Sequence, residues 1–131
     1  MDEKEKISKQ TILVVEDDKV VSDILKDCLE ASGYSVLVAE DGREGLIQAQ
    51  EAHPDMIVLD IMLPYADGFE VLHKLKDQQD TVNIPIIILT SKTGEADVLR
   101  GLEYGAKDYM IKPFSFPELL IRIRRHLPVP K

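Results

Sequence analysis

Four short stretches of the chain carry residue types that could do chemistry together: Glu16-Asp17-Asp18, Asp60, Thr90-Ser91 and Lys112-Pro113. Taken singly, each has an ordinary structural use. An Asp after a strand commonly caps the next helix, as expected of Asp18, while a Thr in that place is a turn residue and a Lys before Pro is solvated. Taken jointly they offer acid, acid, hydroxyl and amine, and helix capping does not require a Lys opposite three carboxylates. Two carboxylates at about 4 Å repel by roughly 4 kcal/mol at an effective dielectric of 20. Such a pocket wants a divalent cation, and all-oxygen ligands suit Mg²⁺ or Mn²⁺ rather than zinc. With a metal covering one side, a carboxylate can act as a nucleophile towards phosphorus. The metal, the Lys112 ammonium and the Thr90 hydroxyl would then supply positive charge and donors to the incoming oxygens.

Those residues must be brought together by the elements that precede them. The chain alternates five times between short β-branched runs and helical patterns. The runs are Ile12-Leu13-Val14-Val15, Val36-Leu37-Val38, Met56-Ile57-Val58-Leu59, Ile86-Ile87-Ile88-Leu89 and Tyr109-Met110-Ile111. The first, third and fourth are apolar without alternation, as expected of parallel strands covered on both faces. Val20, Val21, Ile24, Leu25, Cys28 and Leu29 form one broad stripe on a first helix, stopped by Gly33. A second helix spans about 42 to 52 and ends before Pro54. Phe69, Leu72 and Leu75 mark a third helix, Ala96, Leu99 and Leu102 a fourth ending at Gly105, and Leu119, Ile123 and Leu127 a fifth ended by Pro128 and Pro130. This alternation means an α/β fold, an open parallel sheet with helices on both faces and right-handed crossovers. Two strand orders are common, and in either the ligand lies beyond the C-terminal strand ends. If the first strand lies beside the third, Glu16 or Asp17 meets Asp60.

The 131 residues allow one domain. Residues 1–10 read as a polar tail, 11–127 as the domain, and 128–131 as a Pro-containing end that starts a linker. A hydrophobic share of 44% and a charged share of 31% are ordinary for a globular chain. No apolar run approaches the roughly 20 residues that span a bilayer, and the N-terminus has no apolar stretch of the secretory kind. Cys28, the single cysteine, has no internal partner and sits in an apolar helical pattern, which favours burial. These features together point to the cytoplasm. The formal charge of −8 argues against direct nucleic-acid binding by this domain. Arg122, Arg124, Arg125 and His126 are read as cations suited to a helix C-terminus.

The stretches TILVVEDD, VLDIMLPYADGFE, IIILTSK and GAKDYMIKPF, in this order and spacing, resemble the receiver domain of bacterial two-component response regulators, from about Thr11 to Leu127. The resemblance implies a flavodoxin-like sheet of order 2-1-3-4-5 flanked by five helices. It implies that Asp60 is the phosphoacceptor, supplied by a histidine kinase or a histidine phosphotransfer protein. It assigns Mg²⁺, with Mn²⁺ an acceptable substitute, to Asp17 and Asp60 directly, to the Met62 backbone carbonyl, and to Glu16 through water. Thr90 and Tyr109 become the switch pair, and Lys112 pairs with the phosphoryl group before a cis bond to Pro113. Tyr65 stands where such loops often carry Gly. Such a domain is a signalling acceptor without a turnover substrate.

By the same resemblance, partners dock on Val20, Val21, Ile24 and the loop at Pro113, so Val20 or Val21 is expected to stand exposed. An output domain or a downstream protein receives the signal through the face of the fourth helix, fifth strand and fifth helix. Asp108, Glu118 and Arg122 fall where charged pairs join two chains in the transcription-factor branch, while Val98 replaces a usual basic member. The expectation is a monomer that dimerises weakly once phosphorylated. A flavodoxin-type FMN site is excluded because Glu16-Asp17-Asp18 would repel phosphate. An aspartyl-phosphate phosphatase would need Asp-x-Asp in that same place and a cap insertion, and neither is present. The rival that remains is a phosphorylation-independent interaction module with the same fold.

Overall fold

In the computed structural model, residues 9–92 and 94–127 are described. Five strands form one parallel sheet: β1 (Thr11–Val15), β2 (Ser35–Ala39), β3 (Met56–Leu59), β6 (Ile86–Thr90) and β7 (Asp108–Ile111). A small antiparallel ribbon, β4 (Met62–Leu63) with β5 (Ala66–Asp67), follows β3. The sheet order is β2-β1-β3-β6-β7, which is the 2-1-3-4-5 order of the five main strands. The helices are α1 (Lys19–Ala31), α2 (Gly42–Ala52), α3 (Gly68–Lys76), α4 (Glu95–Glu103) and α5 (Phe116–His126). Tail residues 1–8 and the end from Pro128 to Lys131, with its prolines, lie outside the described residues.

The apolar runs are continuous because alternate residues serve opposite faces of a sheet covered on both sides. Ile12, Val14, Met56, Val58, Ile87 and Leu89 pack with Leu25, Leu29, Leu119 and Ile123 of α1 and α5. Leu13, Val15, Ile57, Leu59, Ile86 and Ile88 pack with Ala49, Phe69, Leu72 and Leu75 of α2 and α3. Burying a side chain such as Ile57 completely contributes about 1.5–3 kcal/mol, and these strands bury nearly every one.

Local chemistry starts and stops the helices as expected. Asp18, Asp41 and Asp67 accept backbone N–H groups at the starts of α1, α2 and α3. Gly33 (φ 99°) and Gly105 (φ 104°) follow the ends of α1 and α4.

Two helical faces differ from the periodicity. On α1 the fully buried positions are Ser22, Leu25 and Leu29, while Val20 and Ile24 are exposed and Val21 and Cys28 only half-buried. One face of a single helix cannot bury the whole stripe. On α4 the expected apolar positions point outward: Leu99 and Leu102 are exposed, and so is Ala96. Gly101 is the residue α4 buries, with Val98 packed beside the core. A Cβ on Gly101 would lie 2.6 Å from Ile88 Cδ1, so the helix approaches the sheet through its smallest residue.

The ribbon after β3 was not expected. Tyr65 turns it with φ 64°, a conformation costly for a non-glycine residue, and its ring is fully exposed. Gly68 then lets the chain cross close to β3. A Cβ there would meet Ile61 Cα at 2.4 Å and the carbonyl oxygens of Ile61 and Asp60 at 2.7 and 2.8 Å. These are backbone atoms that cannot rotate away. Gly68→Ala is therefore expected to cost about 1–3 kcal/mol, read as a lower urea midpoint; an unchanged midpoint would show that the crossing is not tight.

Candidate functional site

Parallel register delivers the four stretches to one edge. Val15 lies opposite Leu59 on adjacent strands, and Thr90 lies opposite Ile111. The ladder continues past the strand ends: the N–H of Asp60 donates to the Val15 carbonyl at 3.0 Å, and that of Lys112 to the Thr90 carbonyl at 2.8 Å. Glu16, Asp60, Thr90 and Lys112 thus leave their strands side by side.

Glu16, Asp17 and Asp60 each offer a carboxylate oxygen, and these oxygens lie within 4.8 Å of one another. Glu16 and Asp60 are buried, while Asp17 is exposed on the open side. The Lys112 ammonium donates to Glu16 Oε1 and, at 3.0 Å, to Asp60 Oδ2. Glu16 Oε2 accepts the Asp18 N–H at 3.1 Å, and Asp60 Oδ1 accepts the Met62 N–H at 2.9 Å. Each buried carboxylate is thereby fixed by one backbone amide and one shared cation.

The electrostatics follow from burial and charge count. Desolvation pushes the Glu16 carboxyl up to about 7, against the lowering pull of its bond to Lys112. Burial alone would lower the Lys112 ammonium, but its bonds to Glu16 and Asp60 outweigh that and raise it. When the three acids are ionised, one ammonium leaves two formal negative charges uncompensated. An all-oxygen cluster with that deficit and one exposed member fits a divalent cation of the Mg²⁺ type.

The Thr90 side chain is wholly buried beneath the pocket, and the Lys92 N–H reaches its Oγ1 at 3.4 Å. Tyr109 is buried, and its hydroxyl donates to the Lys92 carbonyl at 2.9 Å. Burial raises its phenol, with Asp97 and Asp60 adding to the effect, so the hydroxyl stays a donor. Met62 is half exposed and accepts from the Ser91 hydroxyl through sulfur at 3.2 Å. The Lys112-Pro113 bond is cis, as expected.

Val20 is 68% exposed, meeting the expectation for the start of α1. Val21, Ile24, Pro113, Phe114 and Phe116 line an apolar groove of about 570 Å³ that reaches Lys112. The two phenylalanines were not singled out in the sequence; Phe114 lies in the loop after the cis bond and Phe116 opens α5, and both also pack against the core. Elsewhere, Arg122 donates to Asp108 at 2.5 Å and to Glu118 at 2.9 Å, so the charges expected to join two chains are paired within one.

The chain matches the family model of the response regulator receiver domain over residues 12–124. It is 48% identical over 113 residues to the alkaline phosphatase synthesis transcriptional regulatory protein PhoP of Bacillus subtilis, covering 86% of this chain and 46% of that protein. Identity to the phosphate regulon transcriptional regulatory protein PhoB of Rhizobium meliloti is 43% over 116 residues, covering 88% and 51% respectively. Among solved structures it is similar to the chemotaxis protein CheY4 of Vibrio cholerae, with TM-score 0.86 and 32% identity over 92% of this chain and all (100%) of that one. The BeF3-activated receiver domain of Klebsiella pneumoniae RstA gives TM-score 0.85 and 33% identity over 92% and 100%. The chain spans about half the length of the curated relatives it matches.

The Glu16 shift sets a pH dependence. Its folded pKa, about 7, exceeds the unfolded 4.5, so the folded protein holds this proton more tightly. The associated stability is complete below about 4.5 and lost as pH rises through about 7. Metal-free protein should therefore melt lower at pH 8 than at pH 5, and Glu16→Gln should flatten that slope. Millimolar Mg²⁺ at pH 8 should raise the melting temperature by mass action, and Asp17→Asn should remove most of the rise. A flat metal-free profile with no response to Mg²⁺ would contradict the charge account.

Proposed function

Since the chain belongs to the response regulator receiver domain family, we propose that Asp60 accepts a phosphoryl group from the phosphohistidine of a sensor kinase or histidine phosphotransfer protein. The observation that carries this reading is the Lys112 ammonium held between Glu16 and Asp60 beside the exposed Asp17. An Asp60 carboxylate oxygen attacks phosphorus, the phosphorus–nitrogen bond breaks, and the imidazole leaves with the bonding pair. Mg²⁺, or Mn²⁺ in its place, supplies positive charge against the phosphoryl oxygens when held by Asp17, Asp60, the Met62 carbonyl and, through water, Glu16.

The chain's own groups do the rest. Lys112 gives up its contact with Asp60 Oδ2 to a phosphoryl oxygen, which removes the repulsion the new charge would meet. Glu16 keeps the ammonium in place from the other side. The Thr90 hydroxyl donates to the phosphoryl group, and Tyr109 follows the backbone at Lys92 that its hydroxyl grips. Phosphorylation thus reaches the surface of α4, β7 and α5, where a downstream protein or an output domain reads it. Asp60 is modified and restored rather than turning over a substrate.

The receiver unit is residues 11–127. The phosphodonor docks on Val20, Val21 and Ile24 and on Pro113, where the apolar groove adjoins Lys112. Among the described residues no helix is long and apolar enough to cross a membrane, and we place the domain in the cytoplasm with its phosphodonor. Because Arg122 is committed to Asp108 and Glu118, the unphosphorylated domain is a monomer and any phosphorylated dimer is weak.

Treatment with acetyl phosphate and Mg²⁺ should add the mass of one phosphoryl group, and Asp60→Asn should abolish the gain. An unchanged gain in that variant would overturn the assignment, and no gain in the parent would favour the phosphorylation-independent module. Sedimentation with beryllofluoride should show at most a weak dimer. A tight dimer without it, insensitive to Arg122→Glu, would contradict the account of that face.

A further inference from the structure

Helix α4 is held unusually lightly. Gly94 precedes it without a side-chain cap, Gly101 is its one fully buried residue, and Leu99 and Leu102 face outward. An element with so few buried apolar contacts is the one most easily shifted. On one flank it rests on Tyr109, whose ring would lie 3.1 Å from a Cβ on Gly101. What holds the other flank then matters.

That flank is held by Arg100. Its guanidinium carbon lies 4.3 Å from the centroid of the Phe69 ring and 5.5 Å from that of Tyr104. Phe69 and Tyr104 meet edge to face at 6.4 Å, so the cation sits against a paired aromatic surface from α3 and from the end of α4 itself. Arg100 Nη2 also lies 3.9 Å from Asp67 Oδ2. An exposed ion pair alone holds little; stacked on a buried ring, its direction is fixed.

Asp67 connects this clamp to the acceptor. Its other oxygen caps α3 through the Phe69 N–H at 2.9 Å, and its backbone pairs with Met62 across the β4–β5 ribbon. Met62 in turn donates its N–H to Asp60 Oδ1. The path from Asp60 to α4 by way of Met62, Asp67 and Arg100 is continuous, and it uses neither Thr90 nor Tyr109. A rearrangement of Asp60 that breaks its bond to Met62 would free one end of this path.

We infer that Arg100 is a positioning residue that couples the phosphoacceptor loop to α4 through Asp67, as a second connection beside Thr90 and Tyr109. The inference rests on the proposed role of Asp60 and adds a route by which its state is transmitted.

The test is amide NMR of the full chain titrated with beryllofluoride in Mg²⁺. The parent should respond at Met62, Thr90, Tyr109 and along α4. In Arg100→Gln the responses at Met62 and Thr90 should persist, while those at Leu99, Leu102 and Glu103 fall to less than half. Asp67→Asn keeps the acceptor for the Phe69 N–H and removes the charge, and it should behave alike. A full α4 response in both variants would overturn the coupling and leave the role of Asp60 intact. Absence of any response in the parent would overturn both.

Discussion

The site is organised by a single shared cation. The Lys112 ammonium reaches two buried carboxylates, Glu16 and Asp60, that follow the adjacent strands β1 and β3. Without it, two carboxylates that water scarcely reaches would face each other, a juxtaposition that costs several kcal/mol or a protonation. With it, Asp60 is held in place and aimed, while the exposed Asp17 leaves the cluster short of positive charge. The pocket therefore keeps a net negative charge of the kind that fits a divalent cation.

That arrangement depends on strand order more than on any local feature. Lys112 can span to Asp60 and Glu16 because Leu59 at the end of β3 pairs with Ile88 and Thr90 pairs with Ile111, so β6 and β7 run two residues past the ends of β3 and β1 and carry the lysine over the carboxylates. The two-faced core makes this order rigid, since slipping one strand by a residue would exchange the side chains that serve the two helical layers. The loops at the sheet edge are free of that duty, and there the chain accepts costs: a left-handed Tyr65, a crossing that only Gly68 permits, and an α4 without a cap.

Much of this was legible in the sequence because parallel, doubly covered strands leave continuous apolar runs, and the residue after each run falls at the ligand-binding edge. Glu16, Asp17, Asp60, Thr90 and Lys112 could be collected by that rule before any coordinates. What was not legible lacks a periodic signature. Two-residue strands such as Met62–Leu63 are too short to alternate. The face of α4 misleads because Leu99 and Leu102 repeat at helical spacing while the buried position is a glycine, which carries no hydropathy signal. The partner of Arg122 depends on tertiary placement, and sequence cannot choose between Asp108 of the same chain and that of another. The stacking of Arg100 on Phe69 is hidden for the same reason.

In the proposed reaction one carboxylate of this cluster, and no other, becomes the acyl phosphate. Borohydride reduces an aspartyl phosphate to homoserine, which peptide mapping locates after acid-stable trapping. Following incubation with a small phosphodonor, conversion is expected at Asp60 alone, dependent on Mg²⁺ and lost in Lys112→Met. Conversion at Asp17 or Asp18, or conversion at Asp60 that is indifferent to both the metal and Lys112, would contradict it.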